Sequence, residues 1–314
     1  MKHAICFLAL MLGSLFSLRA QIDSSQRVAM LQDTSIRSVP PSFKKSRVIG
    51  VASTFVGLHL GSMAYLQYIW YKDRKRVPMR SYNDSRGYLQ VDKFGHAYTA
   101  YLQSYAGVRA LQWAGLSQRK AALYGGCVGF VMQLPIEIWD GMYEGWGFSW
   151  SDLGANTFGS ALVMAQELAF RKQIVQMKFT FRTSPYAKQA NGYLGKGFNQ
   201  VMYDYNGHTY WFSLGLNHLF NHQKIPRWLN VAVGYGAGGM FGEFKNISYY
   251  KGVYIPETER YRQLLFSLDV DFTKIPTHKQ WLRKVLDGMF ILKVPFPAIE
   301  LNTKGQVRGH WLYY

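Results

Sequence analysis

Behind Lys2 and His3 the chain is apolar from Ala4 to Leu18, which predicts a secretory leader over 1–20, cleaved after Ala20. Residues 21–45 are polar and contain prolines, so a flexible lead-in is expected there. From Val48 to Tyr71 the chain runs apolar for 24 residues without Asp, Glu, Lys or Arg. As a helix this stretch matches the thickness of a bilayer core. Gly50, Gly57 and Gly61 along it predict a close approach to another helix. A charged loop over 72–91 leads into three further helical patterns. The first runs from about Asp92 to Ala114, with Asp92 as a candidate cap. The second runs from about Ser117 to Trp139, with Ser117 as its cap and Pro135 expected to kink its end. The third runs from about Trp150 to Lys172, where Ser149 followed by Asp152 resembles a capping box. Short connections favour antiparallel neighbours, so a four-helix bundle is expected over 46–172.

After Arg171 the period changes. Met177 to Arg182, Thr209 to Leu216, Trp228 to Tyr235 and Leu264 to Phe272 read as strands, several alternating apolar with polar residues. His278 to Leu292 has a helical amphipathic pattern, and a proline-limited segment covers Lys293 to Glu300. The expected fold class is α+β: a membrane-associated four-helix bundle followed by a β-rich, aromatic region over 173–314. The aromatic C-terminal end, Trp311 to Tyr314, raises an outer-membrane barrel as an alternative. The helical insertion and weak alternation argue against regular barrel strands.

Composition sharpens this picture. Only 17 % of residues are charged against 48 % hydrophobic, and 16 % are aromatic, which suits an interface between lipid and water. The formal net charge is +18; removing 1–20 takes away Lys2, Arg19 and no acids, leaving +16. Lys44, Lys45 and Arg47 precede the long apolar stretch, and Lys72, Arg74, Lys75, Arg76 and Arg80 follow it. The expected partners are therefore a membrane with anionic lipid headgroups or lipid-linked envelope molecules. Nucleic acid is excluded by export and by the lack of a basic recognition motif. Cys6 leaves with the leader and Cys127 remains, so no internal disulfide is expected; no cysteine follows the apolar leader as a lipoprotein signal requires.

The chemistry concentrates between Val91 and Gly159. Burying charged groups costs several kcal/mol each unless they are paired or used. Asp92 and His96 are four apart, Glu137 and Asp140 three apart, and Asp152, Asn156 and Gly159 recur at four and three. In antiparallel helices these groups meet at one end of the bundle. His96, Glu137 and Asp140 are the candidate catalytic acid and base groups. Asp92, Lys93, Asp152 and Asn156 are the candidate binding groups. One histidine with several carboxylates is an acceptable metal set, but the spacing matches no standard motif, and no metal or other cofactor is expected. A purely structural reading also holds: Asp92 and Asp152 cap helices, while Lys93 pairs with Glu137 or Asp140 and fixes register.

Asp92-Lys93-x-x-His96, then Glu137-x-x-Asp140, then GxGFSWxDLxANxxG from Gly145 to Gly159 resemble the YfiM-like envelope proteins of unknown function and, more distantly, VanZ-like membrane proteins. The resemblance covers about 85–170. It implies a helical envelope fold and names no substrate. Two functional expectations follow, a lipid- or partner-binding envelope protein and a membrane-embedded enzyme acting on a lipid-linked or phosphorylated envelope substrate.

Overall fold

The computed structural model describes residues 42–220 and 225–314, so the leader and nearly all of the lead-in lie outside the described residues. Helix α1 runs over Lys45–Leu66 and continues as a π turn over Gln67–Tyr71. The remaining bundle consists of α2 (Val91–Trp113), α3 (Gln118–Gly126), α4 (Val128–Gly141) and α5 (Trp150–Phe170). The four expected helices are thus five. The stretch anticipated from Ser117 to Trp139 breaks at Cys127, whereas Pro135 sits inside α4 without ending it. The break follows from packing. A side chain on Gly125 would strike the backbone of Val108, and one on Gly129 would sit 2.0 Å from the Ala100 carbonyl oxygen. Consecutive glycines weaken the helix, and two tight crossings over α2 require a change of direction between them.

Two caps differ from expectation. Asp92 is inside the first turn of α2; the N-cap is Gln90, in a left-handed conformation. Ser117 holds the N-cap position of α3 without a side-chain hydrogen bond. Ser149 does cap α5, its Oγ accepting from the Asp152 N–H at 3.0 Å. Among the described residues nothing lies within 4 Å of a side chain added at Gly50, Gly57 or Gly61 on α1, so no described helix approaches closely there.

A six-stranded antiparallel sheet follows, in the order β1 (Val175–Phe181), β2 (His208–Gly215), β3 (Leu229–Gly238), β6 (Tyr261–Val270), β7 (Phe296–Asn302), β8 (Val307–Tyr313). A small hairpin of β4 (Tyr249–Tyr250) and β5 (Val253–Tyr254) stands apart. Helix α6 (Gln280–Gly288) lies between β6 and β7. Among the described residues the sheet is open, with β1 and β8 as its edges and no pairing between them. The proline-limited segment proves to overlap most of β7, where Pro297 sits at a register shift that tolerates a missing donor.

The register places Gln176, Lys178, Thr180, Ser213, Asn230, Gln263, Asp269 and Glu300 on one face, and all of them are buried. Lys178 Nζ and Asp269 Oδ2, both fully buried, pair at 2.7 Å, and Ser213 Oγ donates to the same carboxylate at 2.6 Å. The opposite face is apolar. Over β1 to β3 it packs on the bundle through Phe94 against Tyr235 (4.6 Å between ring centres), Tyr98 against Phe179 (5.7 Å) and Phe158 against Phe212 (6.4 Å).

His208 sits at this junction, ringed by Phe179, Phe181, Tyr205 and Tyr210, with Nε2 at 3.0 Å from the Val201 carbonyl. Burial pushes its pKa down to about 4, against smaller opposing effects of the Val201 carbonyl and Asp92. The unfolded chain takes up this proton near pH 6.5 while the fold resists it until about pH 4. Stability therefore drops as pH falls through that window, by about 3 kcal/mol from this group. Denaturant unfolding at pH 7 and pH 4.5 should show that the gap between wild type and His208→Gln narrows at the lower pH.

Candidate functional site

Three helices and one loop bring the polar groups to a single end of the bundle. Asp92, Lys93 and His96 come from the start of α2, Glu137 and Asp140 from the end of α4, and Asp152 and Asn156 from the start of α5. Asp84 joins them from the loop before α2. Lys93 Nζ lies 2.7 Å from Asp152, 2.8 Å from Asp84 and 3.0 Å from Asp92. Asp84 also accepts from Ser149 Oγ at 2.5 Å and Ser151 Oγ at 2.7 Å. Lys93 pairs with neither Glu137 nor Asp140 in the described contacts, and its three carboxylate partners leave it little capacity to clamp an anion.

His96 lies among carboxylates. Its Nδ1 is 3.2 Å from Glu137 Oε1, and its Nε2 is 3.9 Å from both Asp92 Oδ1 and Asp152 Oδ1. The Asn156 amide donates to Glu137 Oε1 at 3.2 Å. Asp140 is tied elsewhere, accepting from the Tyr71 hydroxyl at 2.5 Å. Tyr205, which precedes β2, donates to Asp92 Oδ1 at 3.0 Å and so links the sheet to the cluster.

The electrostatics follow from burial with few cations. Desolvation alone lowers the pKa of His96, but Asp152, Asp92 and Glu137 outweigh it and hold the imidazolium to about 9. Burial likewise opposes the Lys93 charge, and Asp92 and Asp152 reverse the effect, raising its pKa. Burial pushes Glu137 up to about 8 against the attraction of His96. It pushes Asp140 up to about 7 and Asp152 to about 6. Asp84 goes the other way: burial disfavours its charge, but hydrogen bonds from Asp152, Lys93, Ser149 and Ser151 hold it at about 2. At neutral pH Lys93 and His96 are positive, while burial favours the protonated forms of Glu137 and Asp140. Protons thus offset much of the negative charge that five clustered carboxyl groups would otherwise carry.

Asp92, His96 and Asp152 each offer a ligand atom, all within 4.8 Å of one another. Lys93 Nζ lies within 3.0 Å of both aspartates, so any cation held there would share them with this ammonium. The chemical capacity of the site lies in His96 beside the Glu137 carboxyl, 3.2 Å from its Nδ1, whose pKa burial raises toward neutrality.

A strained turn presents Asp84 to this site. Tyr88, Leu89 and Gln90 are three successive left-handed residues, with φ of 42°, 51° and 67°. Each costs about 1–2 kcal/mol for an L-residue. Tertiary contacts hold them: Tyr88 stacks on Tyr205 at 4.4 Å, Tyr235 donates to the Leu89 carbonyl, and Arg262 donates to the Gln90 side chain at 2.8 Å. Sequence reasoning missed Asp84, Ser151, Tyr71 and Tyr205 as members of the site. Asp84 lies in a loop without periodicity, and Tyr205 is 113 positions from its partner, so no local pattern marks either. It also missed a second buried network, in which Glu167 accepts from Arg109 at 2.7 Å, Gln118 at 2.8 Å and Gln173 at 2.9 Å.

Residues 82–167, about a quarter of the chain, match the family described as "Predicted periplasmic lipoprotein (DUF2279)". The matched span begins just before Asp84 and ends at Glu167, so it encloses the helical part of the cluster and leaves out α1, Tyr205 and the sheet. That description fits export to the bacterial cell envelope and association with a membrane. No curated protein and no solved structure matches the chain.

Proposed function

We propose that this chain is a membrane-anchored envelope protein that works by binding lipid, with the polar cluster as the core that locks its helices. One observation carries this reading. Lys45–Tyr71 is an apolar helix of 27 residues, long enough to cross a bilayer, yet only 6 % of its most apolar window is buried. Such a surface left to water is unfavourable at roughly 25 cal/mol per Å2, which lipid contact removes. Met63, Leu66 and Tyr71 fasten its last turns to Ile136, Trp139 and Tyr143, while Val56, Leu58 and Leu60 face outward. The basic residues at both ends suit anionic headgroups. The α3–α4 stretch is also long and apolar, but more of it is buried and its C-terminal end carries Glu137 into the cluster. The narrower resemblance to YfiM-like proteins rests on the motif residues and supports the envelope setting only.

Replacing Val56, Leu58 and Leu60 together with serine should move the protein from the carbonate-resistant membrane pellet to the soluble fraction. These side chains are exposed, so folding is expected to survive. A triple variant that stays in the pellet would overturn the anchor reading.

A second reading, an enzyme acting on a lipid-linked or phosphorylated envelope substrate, draws on one specific observation. His96 Nδ1 and Asn156 Oδ1 are buried at the heart of the cluster without a well-aligned hydrogen-bond partner. In this reading His96, an imidazolium at neutral pH, is the acid, and Glu137 is the group that exchanges protons with it. Paired abundance and melting measurements on His96→Ala and Glu137→Gln separate the two readings. Variants that melt early support the structural core; variants that remain abundant and stable while function is lost support a working site.

A further inference from the structure

We propose that the uncovered outer face of β6 and β7 is a second lipid-contact surface, seated in the acyl boundary of an anionic membrane. This rests on the membrane reading above and extends it to the sheet. The strands are built inside out. Along β6, Gln263, Leu265 and Asp269 are buried, while Leu264, Phe266 and Leu268 are 38–43 % exposed. Along β7, Ala298 and Glu300 are buried, while Ile299 is 56 % and Leu301 40 % exposed. The register puts Leu264 opposite Leu301 and Phe266 opposite Ile299, so the five side chains form one patch. A sheet in water turns its apolar side to the core; polar-in and apolar-out alternation is the arrangement of strands that face lipid.

The same apolar face is covered by α2 and α5 over β1 to β3, and among the described residues it continues without cover across β6 and β7. Its two ends carry the chemistry of a headgroup layer. At the Leu264 end lie Arg262, which also donates to Gln90, and Lys304, over the Tyr261 ring at 4.6 Å and 3.3 Å from Glu259. At the Leu268 end, α6 is tied down by Arg283, which donates to the Phe272 and Ile275 carbonyls at 2.7 and 2.9 Å. Helix α6 leaves Trp281 and Val285 exposed one turn apart, beside exposed Lys279 and Lys284. A short basic amphipathic helix with an exposed tryptophan is built for a membrane interface. An apolar band with cations at both ends complements an anionic membrane, and a protein at +16 after leader removal would repel a second copy of itself. The open edge at β8 keeps the sheet from crossing the hydrocarbon, where unpaired backbone groups are costly, so contact is with one leaflet.

The test uses the full chain with Cys6→Ser and Cys127→Ser as background, carrying an environment-sensitive fluorophore at Ile299→Cys, Leu268→Cys, Leu58→Cys on α1, or Glu257→Cys as an exposed control. Each labelled protein is reconstituted into vesicles of phosphatidylethanolamine and phosphatidylglycerol, with and without brominated acyl chains. Labels at 299, 268 and 58 should shift to the blue and be quenched by the brominated chains, while 257 does neither. Quenching at 58 alone would overturn the sheet proposal and leave the α1 anchor standing. A blue shift at 299 and 268 without quenching would assign the face to a protein partner and equally overturn it. Loss of quenching at 58 as well would remove both. A melting temperature for each variant, equal to the background, shows that the labels report on the native fold.

Discussion

Lys93→Met is expected to destabilise the protein by about 3–5 kcal/mol, the cost of leaving buried charges without their counter-ion. Lys93 holds Asp84, Asp92 and Asp152, which come from the loop, α2 and α5, within 3.0 Å of one ammonium group. Methionine keeps much of the length and volume of the side chain, so little of the loss is packing. The three carboxylates respond by taking up protons or by drawing in water, and both responses loosen the junction of loop and helices. Denaturant unfolding in detergent would measure the cost directly. The double variant Lys93→Met with Asp152→Asn should recover part of it, because one of the stranded charges is then gone. A loss of under about 1 kcal/mol, the level of an exposed pair, would mean that water reaches the cluster freely and that the ion pairs contribute little.

The second large effect is expected from glycine. Gly159→Ala and Gly129→Ala should each cost about 3 kcal/mol or more, at the upper end of overpacking penalties. A methyl group on Gly159 would lie 2.0 Å from the Ala97 carbonyl oxygen, and one on Gly129 the same distance from that of Ala100. Both obstacles are backbone atoms of α2, so relief requires the helices to move apart. Separation at Gly159 also draws Asp152 and Asn156 away from His96. Gly154→Ala is the control: it lies on the same helix as Gly159 with nothing within 4 Å of an added methyl, and it should be neutral or stabilising by up to about 1 kcal/mol. Melting temperatures that fall for 129 and 159 and hold for 154 would confirm that close α2 contacts, not helix propensity, set the cost. Equal behaviour at all three positions would refute it.

The sequence by itself marked helices followed by strands, and it placed the polar residues of α2, α4 and α5 at helix ends that the structure brings together. Those features follow from the 3.6-residue period and short connections, which are local. Gly159 shows the limit: the spacing placed it on the polar face of α5, and only the crossing with α2 explains why it must be glycine. The partners of Lys93, the entry of Asp84 and Tyr205, and the left-handed turn at Tyr88 to Gln90 were decided by tertiary contacts between residues far apart in the chain. The break at Cys127 has the same origin, since it serves two crossings and no capping residue. Alternation marked several of the strands but not which face turns inward. That choice depends on what covers each face, and here burial went to the polar side because Lys178, Asp269, Ser213 and Asn230 satisfy one another there, while helices cover only part of the apolar side.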